Sequence, residues 1–314
     1  MLFLLALLAV PAASHAASQG GAFVALVTAE TQNQLLVVDL GSGEVLKRLR
    51  MPADPQNVET TRSDDAGAVV STSGAVTLLA LPRLHVRRTL RGFGEPHIAA
   101  FSPHGRYLYV TDDARGELVV IGVRRARVLR RIFVGHGAHH MAVRPDGKRL
   151  WIVLGERATE IVVVDTRRPA HPWIVTRLFD IGGLAHDAAF APNGKRVWVT
   201  YDDRSTVAIF DARTYRQLRV LTGGAPPQHV AFGHYAYVTS GNDGRLRIFS
   251  VAGRLHAIAH TPAGSFNIGL GGGIVLTPSL TQGTLTQFRG GNGHLLWSRK
   301  VAPAARDAAF AILP

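Results

Sequence analysis

The 314 residues are 46% hydrophobic and 18% charged, enough apolar content to bury a large core and too little polar bias for a disordered chain. There is no cysteine, which excludes disulfides, zinc–thiolate sites, iron–sulfur clusters and cysteine nucleophiles. The formal net charge is +13 and most of the basic residues are Arg, a balance that favours acidic surfaces and polymers as partners.

Residues 1–16 stand apart from the rest. Leu2 to Val10 is an unbroken apolar run, followed by Pro11, Ala12, Ala13 and Ser14, and Ser14-His15-Ala16 resembles a small-x-small cleavage site. This reads as a secretory signal cut near Ala16, so a secreted or periplasmic location in a bacterial cell envelope is expected. The remainder, 21–314, reads as one domain. Phe23 to Arg50 supplies three strands, and then a unit of about forty residues begins to recur.

The clearest copies start at His97, His139, His186 and Gln228, with apolar anchors at Phe101, Val143, Phe190 and Phe232. In each of the two clearest hairpins an apolar stretch meets Pro145-Asp-Gly147 or Pro192-Asn-Gly194. Pro presets φ and Gly accepts a positive φ, so the chain reverses there. A second strand follows (Tyr107, Tyr109; Leu150, Ile152; Val197, Val199), then a β-branched third ending in Asp165 or Asp211, then a mixed basic and apolar fourth. Weaker copies surround Arg62 and Leu270. At the end, Arg306-Asp-Ala-Ala-Phe310 matches His186-Asp-Ala-Ala-Phe190, a first strand without successors. Joined to Phe23–Arg50 it completes one shared blade, and six whole blades make the total seven. The predicted fold is all-β, a seven-bladed β-propeller of four antiparallel strands per blade, closed by its two tails.

Tyr109-Val-Thr-Asp112, Pro96-His97…Ser102-Pro103-His104-Gly105 and Arg144-Pro-Asp-Gly-Lys148 resemble the repeat of the YVTN family of β-propellers, within the wider WD-repeat-like and lactonase-like superfamily. The resemblance spans about Phe23 to Phe310 and is weakest where Gly271-Gly-Gly273 replaces the usual hairpin. It implies the fold and frequent export. It implies no particular activity, because members differ widely in what they do.

The same resemblance places the loops entering first strands, and those joining second to third strands, on one face, the top. His97, His139 and His186 then occupy equivalent positions at the mouth of the central channel, with His140, Asp187 and His229 one residue further on and Asp112 and Asp202 in neighbouring turns. Such imidazoles could bind a divalent metal, with His97, His139 and His186 as the expected trio, or contact a ligand. They could equally bond neighbouring loops, as Asp does in turns. Acids concentrate in top loops (Glu95, Asp112, Asp113, Glu117, Glu156, Glu160, Asp202, Asp203), which predicts an acidic mouth. Arg124, Arg125, Arg127, Arg167, Arg168 and Arg196 predict a basic underside able to meet anionic lipid or cell-wall polymer.

The first functional reading is an exported, non-catalytic binding or scaffold propeller that uses the channel mouth for a protein or small-molecule partner and requires no cofactor. The alternatives are a metal-dependent lactonase- or lyase-like enzyme, and a periplasmic metal- or haem-handling accessory protein, both using the top-face histidines. Gly-x-Ser-x-Gly, His-Glu-x-x-His and P-loop motifs are absent. Nucleic acid is not an expected partner, since no aromatic stacking platform accompanies the basic residues. A monomer is expected.

Overall fold

The computed structural model describes residues 21–155 and 159–313. The expected export signal, residues 1–16, lies outside them. Among the described residues there are seven antiparallel sheets of four strands each, with a 3₁₀ turn at Glu30–Gln32. Blades are numbered here in chain order from Phe23.

Blade 1 is the composite one. Its innermost strand is Ala305–Leu313, which pairs antiparallel with Ala22–Ala29 in a register that sets Phe310 opposite Ala25. Gln34–Asp39 and Val45–Arg50 follow outward. Closure is completed by packing on both sides. Val24 and Leu26 share an apolar cluster with Val58 and Val69 of blade 2, and Ala25 and Val27 share another with Leu276 and Leu285 of blade 7.

Middle strands are buried on both faces because neighbouring blades stack against each. Ala66–Ser71 and Ile161–Asp165 are buried along their whole length, which is why those segments read as unbroken apolar or β-branched runs. Fourth strands form the rim and stay wet, as in Gln217–Thr222. The Asp that ends several third strands organises the turn beyond it. Asp211 accepts from the Arg213 and Thr214 amides, and Asp39 does the same for Ser42.

Blade 7 departs from the repeat for a steric reason. Its first strand is Gly269–Gly271, and a Cβ at Gly271 would overlap the Phe310 ring from blade 1. Gly272 and Gly273 both have positive φ (57° and 78°), so the pair forms a two-residue turn in place of Pro-Asp-Gly. Gly271→Ala is therefore expected to cost about 2 kcal/mol through overpacking. A melting temperature lowered by about 4 °C would register it, and an unchanged one would mean that Phe310 can swing clear.

Candidate metal centre

The entrance of each first strand delivers two consecutive side chains to the channel mouth. The outer level carries His97, His139 and His186 in blades 3 to 5 and Arg306 in blade 1. The inner level carries His140, Asp187 and His229 in blades 4 to 6 and Asp307 in blade 1. Strict alternation would send consecutive residues to opposite faces. Here the pairing register slips between Pro96 and Ala99 and between Ala185 and Ala188, so both residues reach the opening.

Threonines of the second strands lock this arrangement. Thr111 accepts the Ile98 amide at 3.2 Å and donates to the His139 carbonyl at 2.5 Å, tying blade 3 to blade 4. Thr200 accepts from the Asp187 amide and donates to the Gln228 carbonyl, tying blade 5 to blade 6. The Thr of Tyr-Val-Thr is thus the staple that positions the histidine-bearing backbone.

Five imidazoles converge. The His97 and His139 rings are stacked with centroids 3.7 Å apart. His140 lies 4.6–5.0 Å from the rings of His97, His139, His186 and His229. Ligand nitrogens come within 4.8 Å of one another in two sets, His97–His139–His140 and His140–His186–His229. The trio expected from sequence is therefore divided: His97 with His139 falls in one set and His186 in the other, and buried His140 belongs to both. Zinc–nitrogen bonds of about 2.1 Å need nitrogens roughly 3.4 Å apart, so binding requires the rings to turn inward, the stacked His97 and His139 most of all.

Carboxylates stand behind the rings. His139 Nδ1 is 2.8 Å from Asp113, and His186 Nδ1 is 3.0 Å from Asp202. A carboxylate only accepts, so each Nδ1 carries a proton, and in the neutral ring that arrangement puts the lone pair on Nε2, the tautomer a metal requires. Asp187 sits 3.5 Å from Nδ1 of both His140 and His229, and it also accepts the Val230 amide at 3.0 Å. Burial, reinforced by the neighbouring imidazoles, holds His97 and His140 well below the usual histidine range, and Arg306 adds to the effect at His97. Both are neutral at pH 7, as ligands must be.

Asp112 does not join this group. Its carboxylate is fully buried, accepts the Gly94 and Glu95 amides at 2.9 Å each, and faces Arg131 at 3.8 Å. Several of the acids expected at the mouth are engaged, while Glu95 is exposed. Glu117 pairs with Arg131, Glu160 with Arg177 and Asp203 with Arg204, while Asp113 and Asp202 are taken by histidines. Glu156 lies outside the described residues. Arg124, Arg125, Arg127, Arg167, Arg168 and Arg196 are exposed, in the 3–4 turns of blades 3 and 4 and the first hairpin of blade 5. Arg167 is engaged by buried Asp165 at 2.8 Å and lies over the Trp173 ring.

Below the imidazoles runs a channel of about 580 Å³ that holds Glu59 and Asp307. Asp307 accepts the Val58 amide and the Asn57 side chain at 2.9 Å each, and burial raises its pKa. Glu59 is pushed up to about 8 by burial and by Asp307. Sequence reasoning passed over both, and over Arg306. The repeat held the signals. Asp307 and Arg306 align with Asp187 and His186, and Glu59 stands where every other blade has Ala or Gly (Ala100, Ala142, Ala189, Ala231, Gly269, Ala309).

No protein-family model matches the chain, and no curated protein matches its sequence. Solved structures do match. A functionally unknown protein from Desulfotomaculum acetoxidans DSM 771 superposes with a TM-score of 0.80 at 12% identity, covering 93% of this chain and 99% of that one. Apo AztD from Citrobacter koseri gives 0.73 at 12%, covering 93% and 98%. Dihydro-heme d1 dehydrogenase NirN in complex with DHE gives 0.65 at 12%, covering 89% of this chain and 64% of that one. The likeness is one of fold. The shared property is the propeller, and the YVTN resemblance rests on the motifs alone.

Proposed function

We propose that this chain is an exported, non-catalytic binding propeller whose channel mouth takes one divalent transition metal on imidazole nitrogens. The observation that carries the reading is the convergence of five histidines on one small cavity, two of them with Nδ1 within hydrogen-bond distance of a carboxylate. Structure alone would not need such an arrangement, since desolvating several imidazoles side by side costs stability. An all-nitrogen donor set suits zinc, copper(II), nickel or cobalt and disfavours calcium and magnesium, which want oxygen. With Nδ1 of His140 turned to Asp187, a single Nε2 lone pair remains for two candidate triads, so only one triad can be complete at a time.

Dialysis of the purified protein against zinc, followed by metal analysis, tests this. One zinc per chain is expected, lost on combined His139→Ala, His140→Ala and His186→Ala in protein that still melts cooperatively. Binding that survives those three changes would mean that any zinc sits elsewhere.

A further inference from the structure

The mouth cavity has a polar side opposite the histidines. It measures about 190 Å³, and besides imidazoles it is lined by Arg306, Gln56 and Asn267, with Ile98 and Phe266 as apolar wall. Arg306 is about a quarter exposed and its only side-chain partner among the described residues is Glu30, 3.3 Å from Nη1. A guanidinium has five N–H donors in a planar fork, so most of them are uncommitted. The Gln56 side chain has no hydrogen bond among the described residues. Asn267 is otherwise employed, its Nδ2 donating to the Arg306 carbonyl at 3.0 Å and fixing that backbone.

A guanidinium across a small cavity from a divalent ion is an unfavourable pair unless an anion lies between them. Three imidazoles leave the metal at least one open position, and they bring no negative charge of their own. Guanidinium forks match carboxylates in shape as well as charge. Size sets the upper limit: the cavity corresponds to roughly six waters at about 30 Å³ each, room for a metal and a compact anion.

We propose that the mouth is a composite site for a free small carboxylate, one oxygen completing the metal's coordination and the other held by Arg306 with the Gln56 amide beside it. This rests on the metal reading above and names the ligand class of the same site.

Cobalt(II) serves as the probe, because its visible bands report a change of ligand directly. Cobalt-loaded protein would be titrated with sodium acetate at constant ionic strength, using perchlorate as the balancing salt. Saturable band shifts are expected in the native protein. In Arg306→Gln the half-saturating acetate concentration should rise about tenfold or more, the loss of one charge-assisted hydrogen bond. Cobalt itself should bind that variant at least as tightly, since a positive charge beside it has gone. Arg306→Lys should fall between, keeping the charge and losing the fork. Gln56→Leu, away from the Glu30 pair, gives a second reading of the anion contact and should weaken acetate by a smaller factor. Equal acetate curves in native and Arg306→Gln protein would overturn the carboxylate site and leave the metal site standing. Failure of the native protein to take up cobalt would remove both.

Discussion

His140→Gln is expected to weaken zinc binding by more than about a hundredfold, whereas His97→Ala or His186→Ala alone should cost less than about tenfold. The argument is topological. Losing a residue that only orients a ligand commonly costs 10- to 100-fold in metal affinity, so losing a shared ligand should exceed that range. His140 belongs to both triads, and its removal leaves neither complete. Losing His97 spoils one triad and leaves His140–His186–His229 intact, and losing His186 leaves the other. The double variant His97→Ala with His186→Ala should then match His140→Gln, a non-additive pattern that independent ligands would not give. Glutamine at 140 nearly fills the volume of the buried ring, so the fold is expected to survive. Competition with a chromophoric zinc chelator reads all four proteins. Equal losses for the three single variants would point to one site of different composition.

That hierarchy among the histidines could not be read from the repeat. Tyr109-Val-Thr-Asp112 and the match of Arg306–Phe310 to His186–Phe190 were enough for blade number and ring closure, because strand pattern and turn chemistry are local properties that recur seven times. The site is a sum over blades. Which of two consecutive residues faces inward depends on register slips at Pro96–Ala99 and Ala185–Ala188, which the alignment does not display. Asp113 and Asp202 are the equivalent positions and each meets a histidine, whereas Asp112, one residue earlier and aligned with Tyr201, is buried beneath the Gly94 and Glu95 amides. Several of the acids expected at the mouth meet arginines that strand pairing or the loop itself brings beside them, as Arg131 on the adjacent fourth strand meets Glu117 and Arg204 meets Asp203. Gly271 could be read as an oddity but not explained, since its cause is a ring contributed by the C-terminal strand that closes blade 1.

Glu59→Gln should stabilise the protein at alkaline pH while leaving it unchanged in acid. Glu59 lies in the channel on Pro55–Thr60, with no side-chain hydrogen bond among the described residues and the Asp307 carboxylate as its like-charged neighbour. Its folded pKa of about 8 exceeds the ordinary 4.5. Between those values the folded state binds more protons than the unfolded chain, so stability falls as pH rises through the window. Glutamine mimics the protonated acid and has no such dependence. The two proteins should therefore match near pH 4.5, diverge steadily, and differ by on the order of 3 kcal/mol at pH 8 and above, where the full shift is reduced by water in the channel. His140, His229 and Asp187 line the same cavity and are present in both proteins. Thermal melts at pH 5, 6.5, 8 and 9 would show the gap in melting temperature opening by about 6–12 °C. Parallel curves across that range would mean that Glu59 ionises freely into channel water, and that the acid pair beneath the imidazoles carries its full charge at neutral pH.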